Sequence, residues 1–142
     1  MAIEWTESLF LNHDHLDEDH RQMAALINKL YLSVGEDFGR EAVAAATRQL
    51  LKFSNAHFSH EKGLMAQHHY PEMAEHLSEH RTLIAELQGL LAIIEGGGEP
   101  VGIETVDFLD DWFAAHLKGA DARLADFLNP LTRERAGAEP RG

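Results

Sequence analysis

The chemistry in this chain is carried by histidine: ten of its 142 residues are histidine and none is cysteine. Five of them, His20, His57, His76, His80 and His116, fall on stripes of apolar residues spaced three and four apart. His20 lies between Leu16 and Met23. His57 follows Phe53 by four residues, and Glu61 follows His57 by four. His76 and His80 are four apart in the cleanest apolar stretch, and His116 comes four after Trp112. Side chains at i and i+4 stand one turn apart on one helix face, so such a pair can share an ion. A lone histidine on an apolar face is more often a hydrogen-bonded core residue than a ligand. Burying five imidazoles and a carboxylate without partners is different, at roughly 1–3 kcal/mol for each unsatisfied group. A domain of this size has only about 5–15 kcal/mol of stability to lose. Coordination to metal removes that cost.

Imidazole and carboxylate donors without thiolate suit iron, manganese or zinc. Four-coordinate structural zinc uses fewer donors than this, so the set points to two ions. The Glu-x-x-His pattern of ferritin-like bundles occurs nowhere in the chain. The expected site is therefore dinuclear, rich in histidine and poor in carboxylate.

Four helical stretches must position these residues. The first runs from about Leu16 to Val34, with Asp17 as its expected N-cap and Gly35 and Gly39 bracketing the loop that follows. The second runs from about Arg40 to Gln67 and is broken at His68 to Pro71. The third runs from about Pro71 to Ile94 and ends in the loop Gly96 to Gly102. The fourth runs from about Glu104 to Leu128, with Asn129-Pro130 expected to end it. Ile3, Trp5, Leu9 and Leu11 suggest an N-terminal arm packed on these helices. Nothing reads as a strand. The expected fold is all-α, an up-down-up-down four-helix bundle over residues 1–131 including the arm, with a disordered tail over 132–142.

Composition narrows the partners. A formal charge of −12 repels phosphate backbones and anionic lipid, so nucleic acid is not expected as a partner. No apolar run reaches the length of a membrane span, and the acidic N-terminus does not read as a signal peptide, so the expected location is the cytoplasm. The absence of cysteine excludes disulfides, thiolate zinc sites and Cys-ligated iron–sulfur clusters. His13, His15, His60, His68 and His69 lie off the core stripes, and surface exposure is the expectation for them.

The chain resembles the hemerythrins, and among them the single-domain bacterial type. The resemblance rests on Trp5 in the arm, Asp17-x-x-His20, His57-Phe-x-x-Glu61, Tyr70-Pro71, His76-x-x-x-His80 and Trp112-x-x-x-His116-x-x-x-x-Asp121. It implies a non-haem centre of two iron ions per chain. His76, His80 and His116 would bind one iron and His20 and His57 the other, with Glu61, Asp121 and an oxo or hydroxo group as bridges. It implies reversible binding of molecular oxygen at the iron with two imidazoles, for carriage, storage or local supply to a transient protein recipient, and no catalytic role. The alternatives are a di-iron enzyme acting on peroxide or nitric oxide, or an oxygen or redox sensor. Phe53, Trp112 and Phe113 are the expected apolar wall. His116 and Asp121 are five residues apart, which on a regular α-helix turns them about 140° from each other. The helix is therefore expected to widen into a π-type turn between them, eased by Gly119.

Overall fold

A computed structural model describes residues 10–11, 13–36, 39–97 and 102–138, with side chains described as far as 130. Helix α1 spans Asp14–Gly35, α2 Arg40–Gln67, α3 Met73–Glu95 and α4 Ile103–His116. A π-helical turn, Leu117–Asp121, continues α4 directly into α5, Ala122–Ala138. These last three segments form one rod, so the architecture is a four-helix bundle without a strand among the described residues. Helix α2 packs against α1 and α3, and α4 packs against α1 and α3, which closes the up-down-up-down ring. No described helix is long and apolar enough to cross a membrane.

The helix ends follow from local chemistry, and some differ from the sequence expectation. His13, not Asp17, caps α1: its Nδ1 accepts the Leu16 N–H at 3.3 Å. The Asp17 carboxylate reaches back, accepting the His13 N–H at 3.2 Å and the Leu11 N–H at 2.7 Å. This reciprocal arrangement resembles a capping box and ties the incoming chain to the helix. Leu11 packs on the core, and its carbonyl accepts from Asn129 Nδ2 at 2.9 Å. Ile3, Trp5 and Leu9 lie outside the described residues.

Helix α2 ends where expected but by a second device besides Pro71. The Tyr70 N–H bonds the Met65 carbonyl at 2.9 Å, and His69 sits at φ +54°. This is a Schellman-type end with a non-glycine residue in the left-handed position. His69→Gly should relieve up to about 1 kcal/mol of that strain and raise the melting temperature by about 2–4 °C. Thermal unfolding followed by circular dichroism checks this; a lowered midpoint would mean that the His69 side chain itself stabilises the turn.

The fourth rod does not stop at Asn129-Pro130. It continues to Ala138 with Pro130 inside it, so residues 132–138 extend the helix. Pro130 cannot bond the Asp126 carbonyl, but both residues are solvent-exposed, where water can satisfy the freed oxygen. Residues 139–142 lie outside the described ones.

The buried apolar residues form two clusters. The larger contains Met23, Ile27, Leu30, Leu50, Phe58, Leu83, Leu87, Leu109, Phe113 and Leu117. The smaller contains Leu16, Met65, Tyr70, Leu124 and Leu128. On three helices the chain passes from one cluster to the other through a buried polar side chain: His20 between Leu16 and Met23, Glu61 between Phe58 and Met65, and Asp121 between Leu117 and Leu124. The core is thus divided by one polar layer.

Candidate metal centre

That layer contains His20, His57, Glu61, His76, His80, His116 and Asp121, each no more than 4% exposed. Helix α1 supplies His20, α2 His57 and Glu61, α3 His76 and His80, and α4 His116. The π turn supplies Asp121. Its extra residue per turn brings i and i+5 onto one face. His116 Nε2 and Asp121 Oδ1 accordingly stand 3.0 Å apart. The widened turn expected from the five-residue spacing is present. Gly119, however, is not demanded by space: an added Cβ would meet only Arg123 Nη1, at 3.7 Å.

The two carboxylates each face both ways. Glu61 Oε1 lies 2.8 Å from His76 Nε2 and 3.3 Å from His80 Nε2. Its Oε2 lies 2.5 Å from His57 Nε2 and 3.7 Å from His20 Nε2. Asp121 Oδ1 lies 3.0 Å from His116 Nε2 and 3.2 Å from His76 Nε2, while Oδ2 lies 3.0 Å from His20 Nε2. Three imidazoles therefore gather on one side of the carboxylates and two on the other.

Donor atoms from Glu61, His76, His80, His116 and Asp121 fall within 4.8 Å of one another, as do those from His20, His57 and Glu61. These are two groups that could each hold an ion, with Glu61 common to both. The hydrogen bonding fits that use. His20 Nε2, His57 Nε2, Glu61 Oε2, His80 Nε2, His116 Nε2 and Asp121 Oδ1 are buried and make no aligned hydrogen bond among the described residues. Several stand close together as imidazole–carboxylate pairs. Any of these atoms left without a partner would cost roughly 1–3 kcal/mol. Metal ions would satisfy them together.

Without metal, the cluster shares protons. Burial opposes charge on His20 and His76, but the adjacent Asp121 and Glu61 outweigh it and push both imidazoles up to about 9. His57 is raised, against burial, chiefly by Glu61, and His116 chiefly by Asp121. Burial holds His80 below its ordinary value, reinforced by His116 and His76. Glu61 is held well below the carboxylate range, against burial, by four surrounding imidazoles. Asp121 is likewise lowered, against burial and the Glu61 charge, by His116 and His20.

A surrounding shell orients the rings. Asp19 Oδ2 lies 2.8 Å from His57 Nδ1, and Glu79 Oε1 lies 2.9 Å from His116 Nδ1. A carboxylate on Nδ1 leaves Nε2 free for a metal and makes the ring a better donor. Aromatic rings line the histidines. Phe58 stacks on His80 at 3.7 Å between centroids and Trp112 on His116 at 4.6 Å. Phe53 lies parallel to His57 at 6.4 Å, and Phe113 meets His20 edge-on at 6.2 Å. Asp19, Glu79 and the stacking role of Phe58 escape a sequence reading, because each pairing crosses between helices. The one available signal is that Asp19 and Glu79 sit directly beside His20 and His80 in the chain. Of the remaining histidines, His13 caps α1, His68 and His69 occupy the α2–α3 turn, and His15 and His60 meet on the surface.

The profile of the family described as Hemerythrin HHE cation binding domain matches residues 11–128. A Bacteriohemerythrin of Campylobacter jejuni is 31% identical over 118 residues, 82% of this chain and 88% of that protein. A Hemerythrin-like protein of Naegleria gruberi is 29% identical over 124 residues, 87% of this chain and 92% of its own length. A Bacteriohemerythrin of Stenotrophomonas maltophilia is 27% identical over 134 residues, 92% of this chain and 86% of that protein. Among solved structures, a hemerythrin point mutant is 25% identical with a TM-score of 0.82, covering 89% of this chain and 97% of that one. The match to the family profile spans the whole polar layer and both apolar clusters that enclose it: the chain belongs to the hemerythrin HHE cation-binding domain family.

Proposed function

We propose that the chain binds molecular oxygen reversibly at a centre of two iron ions. His76, His80 and His116 would hold one iron and His20 and His57 the other, with the Glu61 and Asp121 carboxylates shared between the two. The observation that carries this reading is the division of imidazoles, three against two, across two shared carboxylates. The group with two imidazoles would supply one protein donor fewer than the group with three, and oxygen would be taken up on that side. When bound, the two irons supply one electron each as oxygen is taken up and recover them on its release.

The chain's own residues make that exchange reversible. Phe53, Phe58, Trp112 and Phe113 stand against the imidazoles, and the two apolar clusters close the layer above and below. Excluding water limits the protons and nucleophiles that would turn reversible uptake into permanent oxidation. The carboxylates offset cationic charge in this low-dielectric space, and the neutral imidazoles leave both iron oxidation states accessible. The test is anaerobic reduction followed by oxygen titration under visible absorption. One oxygen per two irons, removable under vacuum, supports the reading. Steady turnover of peroxide or nitric oxide without reversible uptake would replace it with an enzyme.

Asp19 and Glu79 provide a graded test of the ligand assignment. Asp19→Ala should weaken metal binding about 10–100-fold on the two-imidazole side, and Glu79→Ala by a similar factor on the three-imidazole side. Competition with a chelator reads each loss. Unchanged retention in both variants would show that neither orients a ligand.

A further inference from the structure

The centre leaves two close histidines unused. His15 is in the first turn of α1, with its side chain 55% exposed, and His60 is on the exposed face of α2. Their ring centroids are 4.1 Å apart with the planes inclined at 51°. Asp19, one turn beyond His15, places Oδ2 at 3.5 Å from His15 Nε2. Two imidazoles from two helices thus meet at the protein surface, outside the buried layer, with a carboxylate beside the His15 ring.

We propose that His15 and His60 form a second, surface metal site for a borderline divalent cation such as zinc, with Asp19 alongside and water completing the coordination. The donor chemistry favours this class: imidazole with carboxylate and no thiolate suits zinc, copper or nickel, whereas calcium and magnesium select oxygen donors. A tetrahedral zinc with bonds of about 2.0–2.1 Å requires its two nitrogens to stand roughly 3.3 Å apart. Two rings at the observed spacing reach that by small side-chain rotations, and their exposure leaves them room to turn. The helices fix the approach, since α1 and α2 pack directly against each other. The site is set apart from the buried centre yet touches its shell, because Asp19 Oδ2 is also the partner of His57 Nδ1. It does not depend on the oxygen-binding reading.

The experiment is a calorimetric titration of the iron-loaded full chain with zinc chloride, with iron measured before and after. The expected result is one zinc bound per chain at micromolar concentration with the iron retained. His15→Ala and His60→Ala should each weaken that binding by at least about tenfold. His69→Ala, exposed in the α2–α3 turn, should leave it unchanged. Binding only at millimolar zinc, binding that survives both substitutions, or zinc uptake matched by iron loss would each overturn the proposal. If the chain failed to hold iron, zinc entering the buried cluster would be insensitive to His15 and His60, so the two failures are distinguishable.

Discussion

A Glu61→Ala chain should retain at most one iron where the unaltered chain should retain two. Glu61 is fully buried, with Oε1 directed at His76 and His80 and Oε2 at His57 and His20. A bridging carboxylate is a donor to both ions, and the two-imidazole side has the fewest donors to spare. That side should empty first. Removing one member of a buried charged cluster also costs the fold about 3–5 kcal/mol, because its partners remain desolvated. Glu61→Gln supplies the check on folding: it preserves the volume and one acceptor oxygen but has no negative charge to share between two cations. It should fold more readily and still lose iron. His60→Ala, one residue earlier in α2 and facing solvent, should leave the iron content near normal. Iron and protein assays on the three variants decide the matter. Equal retention in Glu61→Ala and His60→Ala would mean that the inward face of α2 has been assigned wrongly.

The stabilities of the metal-free and iron-loaded forms should diverge as pH rises. In the metal-free fold His20 and His76 are pushed up to about 9 from 6.5. A raised histidine contributes stability that is fully present below pH 6.5 and is lost as pH rises through 9. Glu61 and Asp121 are held below their ordinary values, so their contribution is present above about pH 4–5 and disappears on acidification. His80, held low, acts in the opposite direction to His20 and favours the fold above pH 6.5. His20 and His76 share the same two carboxylates, so their effects do not add. A net loss of about 3 kcal/mol between pH 6.5 and 9 is expected for the metal-free chain, about 10 °C in melting temperature. The iron-loaded chain should behave differently, because protons compete with metal for imidazole nitrogen and metal binding strengthens as they leave. Melting temperatures of both forms from pH 5.5 to 9 test this. A metal-free chain that gains stability across that range would contradict the proton-sharing cluster.

Much of this arrangement was legible because helical periodicity and ligand chemistry coincide. The bounds of the second helix, Arg40 to Gln67, follow from the strong helix formers that open it and the proline beyond its end. The buried positions of His20, His57, His76, His80 and His116 follow from their place on apolar stripes. The π turn was legible for a geometrical reason: His116 and Asp121 meet only if the helix widens. Other features depend on information that spacing does not contain. His13 displaced Asp17 as cap of α1 because an imidazole nitrogen can accept a backbone N–H as a carboxylate does. Pro130 stayed inside a helix because the carbonyl it leaves unpaired belongs to an exposed residue. Asp19 and Glu79 meet their histidines across 38 and 37 residues of sequence, and only the packing of α1 on α2 and α3 on α4 brings them together.

Anomalous X-ray diffraction at the iron edge, from crystals of the iron-loaded chain, tests the central claim most directly. Two peaks per chain are expected, close enough to share one bridging oxygen and so less than about 4 Å apart. One should lie within coordinating distance of His76, His80 and His116, the other within reach of His20 and His57, with Glu61 and Asp121 touching both. A single peak with all seven side chains in place, or a pair that leaves the Asp121 carboxylate outside coordinating distance, would contradict it.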